Sequence, residues 1–227
     1  MKICFLGTGA ADWKKGIVDS CGMHRFFSSI LIYDTMLIDP GSDIFISAHE
    51  HGVDISKIRY VINTHSHSDH FNAENLSILQ ATGAEFVEFV PSQVKSIGKY
   101  TVESFSANHA TCENSLHFII SDGERVLFYG LDGAWLMQDE ITAIRDRKVN
   151  LAIFDATVGD IHGDSRIFYE HNNLFMVEEL KSGLESYIER FMISHMAYTL
   201  HTDHNTLVKR MKPSGIEVAF DGLVTEI

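Results

Sequence analysis

The segment Thr64-His65-Ser66-His67-Ser68-Asp69-His70 constrains this chain more than any other. Three imidazoles and a carboxylate lie within six residues, after the apolar stretch Arg59-Tyr60-Val61-Ile62-Asn63 and before a helix predicted over Ala73–Gln80. A strand-to-helix loop is where α/β folds keep their chemistry. Histidine is the commonest metal-ligating side chain, and a carboxylate suits hard-to-borderline ions. So tight a loop cannot easily place all four donors on one ion, whereas two neighbouring ions can share them.

The rest of the chain alternates strand-like and helix-like patterns. Ile3–Leu6, Ile30–Tyr33, Tyr60–Asn63, Glu85–Phe89, Tyr100–Phe105, Leu116–Ile120, Val126–Tyr129, Leu151–Phe154, Phe191–Ile193 and Glu217–Phe220 are rich in β-branched and aromatic residues and predict strands. Asp122-Gly123 between two of them predicts a hairpin, because such turns need positive φ. Leu174, Val177, Leu180, Leu184 and Tyr187 recur at spacings of three and four and mark one helix face. Further helices are predicted over Trp135–Arg145 and from Asp203, a good N-cap, to Met211. Interleaving of this kind predicts sheets covered by helices.

Composition narrows the function. The 227 residues carry 18 Lys+Arg against 31 Asp+Glu, a formal net charge of −13, so long nucleic acid is not the expected partner. Hydrophobic residues make up 45%, enough for a sizeable core. Cys4, Cys21 and Cys112 are too few and odd in number for a disulfide framework, which fits a cytoplasmic location. No apolar run is long enough to span a membrane, and Met1–Gly7 reads as a first strand and turn, not as a secretory signal.

The H-x-H-x-D-H run is similar to the signature of the metallo-β-lactamase superfamily. The resemblance implies that His65 and His67 bind one metal and that Asp69 and His70 bind a second. It also asks for three later ligands at strand ends. His109 in Ser106-Ala107-Asn108-His109, Asp132 after Leu127–Leu131 as the bridging carboxylate, and His195 after Phe191–Ser194 answer in order. Gly7-Thr8-Gly9 and Leu37-Ile38-Asp39-Pro40-Gly41 also look like family landmarks. The implied fold is α/β (α+β), a four-layer αββα sandwich forming one domain over residues 1–227. The implied cofactors are two divalent ions; a nitrogen-rich site favours zinc, and carboxylate-containing sites also accept manganese or iron. The implied chemistry is hydrolysis by a metal-bridging hydroxide, with Asp69 orienting it.

Within the superfamily, Phe154-Asp155-Ala156-Thr157, Ile193-Ser194-His195 and the segment from Pro213 to Leu223 resemble the phosphodiesterase branch that includes phosphoribosyl 1,2-cyclic phosphate phosphodiesterases. No proline-glycine-histidine turn follows His109, and 227 residues leave no room for a β-CASP insertion. The chain departs from that branch in one respect. Asp12–Ser28 holds only Cys21 and His24 where the phosphonate-pathway enzymes carry an extra zinc site, and two ligands do not close a structural site.

His171, read as opening the Leu174–Tyr187 helix, resembles the non-ligand histidine beside the substrate phosphate and is a candidate general acid. His162 and Arg166 are read as loop residues and His201 and His204 as capping residues, with the pocket edge as their alternative. The expected substrate is a small cyclic or nucleotide-like phosphodiester, and a homodimer is compatible. The alternatives are a tRNA 3′-processing-type nuclease, a hydrolase of another ester or lactone, and a metal- or ligand-sensing module without turnover.

Overall fold

The computed structural model describes residues 1–227. In chain order its elements are β1 (Lys2–Gly7), β2 (Ser29–Ile32), β3 (Met36–Ile38), α1 (Ile44–Glu50), β4 (Tyr60–Ile62), α2 (Ala73–Ala81), β5 (Glu85–Phe86), β6 (Val94–Ile97), β7 (Tyr100–Ser106), β8 (Leu116–Ser121), β9 (Val126–Gly130), α3 (Gln138–Arg147), β10 (Val149–Asp155), α4 (Leu174–Leu184), β11 (Ile188–Ser194), α5 (His204–Met211), β12 (Ile216–Val218) and β13 (Val224–Glu226).

The strands form two sheets, ordered β13-β1-β2-β3-β4-β5 and β12-β11-β10-β9-β8-β7-β6. Strand alternation sorts the apolar residues into three layers. Ile3, Phe5, Ile30, Ile32 and Ile38 of the first sheet meet Val102, Phe118, Ile120, Tyr129, Ile153 and Met192 of the second between the sheets. The opposite faces pack outward. Leu6, Leu31, Leu37 and Val61 bury Ile44, Leu76 and Leu79 of α1 and α2. Ile119, Phe128, Ala152, Phe154, Phe191 and Ile193 bury residues of α3, α4 and α5. The fold is thus the αββα sandwich.

The second sheet is parallel from β9 through β10 and β11 to β12, and β7 runs in the same sense as β9 because β8 is antiparallel to both. The chain therefore leaves β7, β9, β10 and β11 at one edge. The sheets meet at that edge through bridges from Gly9 to Phe27 and Met196.

Several predicted boundaries shift. The hairpin forms, with Gly123 at φ 95° and Asp122 Oδ1 accepting from the amides of Glu124 and Arg125. Asp203 caps α5 by accepting from Thr206 N at 3.1 Å. The helix predicted from Trp135 begins at Gln138, because Trp135 takes a left-handed φ of 61°. Glu85–Phe89 shortens to two residues and Glu217–Phe220 gives way to β12, which ends at Val218. Tyr187 falls beyond the end of α4, where the 184–187 turn closes. Cys21 is exposed with its Sγ 3.0 Å from Asp19, and His24 Nδ1 lies 2.7 Å from the Ile17 carbonyl. No helix is long and apolar enough to cross a membrane.

Candidate metal centre

The loops at that edge bring the seven proposed ligands together. His65, His67, Asp69 and His70 come from the β4–α2 loop, His109 from the turn after β7, Asp132 from the residue pair after β9, and His195 from the first residue after β11. Their donor atoms fall into two groups, each within 4.8 Å: His65, His67, His109 and Asp132, then Asp69, His70, Asp132 and His195. Asp132 belongs to both. Its Oδ2 lies 3.2 Å from His65 Nε2 and 3.8 Å from His109 Nε2, and its Oδ1 lies 3.0 Å from His195 Nε2 and 3.4 Å from His70 Nε2. One oxygen thus faces each group. In the first group His67 Nδ1 lies 3.2 Å from His109 Nε2.

Six of the seven residues are buried, and His67 is half-buried. Burial raises a carboxyl pKa, but the charges of His195 and His70 outweigh it and hold Asp132 well below the usual range. Asp69 is likewise lowered against burial, chiefly by His70. His109 behaves oppositely: burial drops it to about 4, leaving a neutral ring suited to ligation. His65 Nε2 and Asp132 Oδ1 are buried without a hydrogen-bond partner. Buried atoms of this kind ordinarily have partners. Mixed imidazole and carboxylate donors in fours, with orphaned lone pairs facing inward, fit divalent metal ions.

Residues outside the ligand set hold these rings in place. His70 Nδ1 lies 2.9 Å from Asp39 Oδ2, while Asp39 Oδ1 accepts from Thr64 N and Oγ1 at 2.7 and 2.9 Å. His109 Nδ1 lies 2.9 Å from Glu170 Oε2. His195 Nδ1 donates to Thr157 Oγ1 at 2.7 Å, and that hydroxyl donates to Asp155 Oδ2 at 3.1 Å. Asp155 also accepts from the Asp132 amide at 3.1 Å, so one buried carboxylate supports two ligands. Carboxylate partners of this kind fix tautomer and ring orientation. Asp39 and Asp155 appeared in the sequence only as landmarks; a carboxylate directly ending an apolar strand was the available signal. Glu170 and Thr157 gave no such sign. Asp39, Asp132 and His195 all take left-handed φ of 55–63°, a strain that clusters at functional sites.

His171 is not at the helix N-terminus. Asn173 is the N-cap, its side chain accepting from Met176 N at 2.9 Å, and Leu174 N is engaged by the Gly159 carbonyl. The first turn has little left to offer an anion. His171 instead reaches the centre from the preceding loop, its Nδ1 2.8 Å from Asp155 Oδ2. Burial lowers an imidazole pKa, but Asp155 outweighs it and His171 is raised.

A cavity of about 370 Å³ opens over the centre. His67, Asp69, His109, Asp132 and His195 line it with His171, Glu170, Arg166 and Asp12. Arg166 therefore reaches the pocket, although it read as a loop residue; its guanidinium is tied to Asp164. His162 does not line it and packs on Phe175 at 5.9 Å between ring centroids. His201 and His204 lie outside this cavity: His201 contacts the Ala156 carbonyl, and His204 Nδ1 lies 3.0 Å from Arg25.

The sequence profile described as "Metallo-beta-lactamase superfamily" matches residues 27–76, the stretch that carries the histidine run. Over that stretch the chain is similar to the metallo-β-lactamase superfamily. Similar solved structures share the fold at low identity. The metallo-β-lactamase fold protein YhfI from Bacillus subtilis superposes with a TM-score of 0.76 at 16% identity, over 100% of this chain and 99% of that one. A diphosphatase from the PhnP family gives 0.73 at 18%, over 100% and 97%. The short form of human tRNase Z gives 0.70 at 17%, over 100% and 99%. No curated protein matches the sequence.

Proposed function

We propose that this protein is a hydrolase that uses two divalent metal ions to cleave a small phosphodiester. One observation carries the reading: two four-donor groups share Asp132, and the Asp155-held His171 stands beside them in the same cavity. The similar structures described as a diphosphatase and a tRNase Z support it, since both names denote cleavage at phosphorus.

His65, His67 and His109 with Asp132 would hold one ion, and Asp69, His70 and His195 with Asp132 the other. Bound there, such ions supply a nucleophile at neutral pH and offset negative charge developing on phosphorus. The remaining work falls to the chain. Asp69, fixed between His70 and His195 at 3.6 and 3.4 Å, presents a second carboxylate to the pocket and would orient the attacking water. His171, its pKa raised by Asp155, would hand a proton from Nε2 to the leaving oxygen. Asp12 accepts from the Tyr198 and Thr199 amides at 2.7 and 2.9 Å and holds the opposite wall. The cavity wall carries one arginine, already paired with Asp164, which suits a singly charged diester better than a polyanion.

The test is turnover of bis(p-nitrophenyl) phosphate by protein reconstituted with zinc or manganese. Diester cleavage should be metal-dependent, and p-nitrophenyl phosphate should be a poor substrate. Comparable rates on thioesters or lactones would move the protein to another hydrolase class. No turnover of any of them by fully metallated protein would favour a sensing module.

A further inference from the structure

His117 and Glu140 form a buried polar pair outside both donor groups. His117 sits in β8 on the face turned towards the helices, where its neighbours Phe105, Ile119 and Phe128 are apolar. Its Nδ1 donates to Glu140 Oε1 at 2.6 Å. Glu140 is the third residue of α3, and its Oε2 accepts from Met137 N at 2.6 Å. The far edge of the ring is not matched: His117 Nε2 is buried without a hydrogen-bond partner. A polar side chain half satisfied in an apolar layer is worse for stability than an apolar one of similar size. Stability alone therefore does not account for the pair.

The unmatched edge meets Gly133, the residue after Asp132. A Cβ on Gly133 would lie 2.5 Å from His117 Nε2 and 2.6 Å from Cε1, so the glycine Cα rests directly on the ring. Its φ is not left-handed, so the ring and not the backbone excludes a side chain there. The chain from Gly133 to Glu140 is thus closed on itself through His117, with Gly133 packed on one edge of the imidazole and Glu140 bonded to the other. Along this loop Asp132 N, Ala134 N and Trp135 N are held by Asp155 Oδ2, Asn108 O and Asn172 Oδ1 at 3.1, 3.0 and 2.8 Å. These bonds fix the path of the backbone, and the ring under Gly133 fixes its distance from β8. On the two-ion reading, on which this step rests, we propose that His117 and Glu140 are positioning residues for Asp132. The pair sets the depth at which Gly133 seats and hence the aim of the carboxylate that both donor groups share.

The test titrates cobalt, whose visible absorption reports the geometry of the donors around it, into the parent and variants checked for folding by circular dichroism. Gly133→Ala should bind cobalt more weakly by on the order of 10–100-fold, the usual effect of disturbing a group behind a ligand. Its absorption at saturation should also differ from the parent's. Adding His117→Ala to Gly133→Ala should recover much of the affinity, because the new methyl group then has room. Glu140→Gln, which keeps hydrogen-bonding atoms towards both His117 and Met137, should stay nearer the parent than Glu140→Ala. Parental affinity and absorption in Gly133→Ala overturn the proposal, and so does a deeper loss in the double variant. A lowered Tm in Glu140→Ala with cobalt affinity and absorption unchanged also overturns it, since that marks a purely structural pair. If Gly133→Ala does not fold, the comparison of Glu140→Ala with Glu140→Gln decides. A parent that saturates at one cobalt rejects the two-ion reading separately, because Asp132 lies in both groups and the variants still report its placement.

Discussion

His171 Nδ1 lies 2.8 Å from Asp155 Oδ2, and the same carboxylate accepts from the backbone amide of Asp132. The proposed proton donor and the proposed bridging ligand therefore share one buried anchor. His171 belongs to neither of the two groups proposed to hold ions, but its ring donors lie within 4.8 Å of those of Asp132, Asp155 and His195, so its role is separated from ligation by measuring metal content together with activity.

Replacing His171 with alanine is expected to leave metal content near that of the parent. Turnover of a diester with a poor leaving group should fall by on the order of 10²–10⁴-fold. The loss should shrink for p-nitrophenyl esters, whose leaving group departs unprotonated. Full activity on the poor-leaving-group diester would remove the general-acid role, and loss of metal would make His171 a ligand or its support.

Elemental analysis after reconstitution is expected to approach two equivalents of divalent metal per chain, and chelation should abolish turnover reversibly. His109→Ala and His195→Ala should each lower metal content together with activity, whatever the leaving group. Saturation at one equivalent, with Asp69 and His70 unneeded for binding, would remove the dinuclear mechanism.

Asp39 touches His70 Nδ1 from behind and carries no place in either donor group. Asp39→Asn should weaken metal binding by about 10–100-fold, the usual effect of removing a carboxylate partner from a ligating histidine. Competition titration with a chromophoric chelator measures it. Unchanged affinity would mean that packing alone orients the ring.

Gly41 has no room for a side chain: a Cβ there would overlap the Asp69 carbonyl. Gly41→Ala should lower Tm and weaken metal binding together, because the displaced backbone carries Asp69 and His70. Thermal unfolding with and without bound metal would show it. A stable variant with parental metal affinity would contradict the tightness of this approach.

His201 is half-buried with its pKa pushed down to about 4 by desolvation of its ring, and its Nε2 contacts the Ala156 carbonyl. Its unfolded value is near 6.5, so the unfolded chain binds the extra proton first as pH falls. The contribution is complete above about pH 6.5 and is lost progressively towards pH 4. By linkage it amounts to at most about 3.5 kcal/mol, reduced by the solvent screening that partial exposure allows. His201→Gln should flatten that part of the acid loss in denaturant-derived stability relative to the parent. Parallel pH profiles for the two proteins would show that His201 is not held neutral.

Local pattern carried much of the architecture. The β-branched and aromatic runs Leu116–Ile120 and Val126–Tyr129 predicted two strands and Asp122-Gly123 the turn between them, but both strands are buried on both faces, so only the fold decided which side chains meet the other sheet. The stripe Leu174–Leu184 specified the buried face of a helix. Boundaries failed where a single dihedral decided them, as at Trp135, since nothing in its neighbours announces a left-handed residue. The reading of His171 as a helix-terminal residue failed for a related reason: Asn172 and Asn173 both suit a cap, and only the hydrogen bond to Met176 N selects Asn173.

What the sequence by itself determined was a set of candidate donors and their order along the chain, because ligand chemistry is a property of residue type and a compact motif brings four of them together locally. The tertiary structure alone decided how they divide. Strand order places the exits of β4, β7, β9 and β11 at one edge, and a left-handed Asp132 turns one oxygen to each group. It also decided which carboxylates act behind the ligands. Asp39, Asp155 and Glu170 meet His70, His171 and His109 across 31, 16 and 61 residues of chain, and no local pattern encodes contacts made only when two sheets and their loops close around a buried charge.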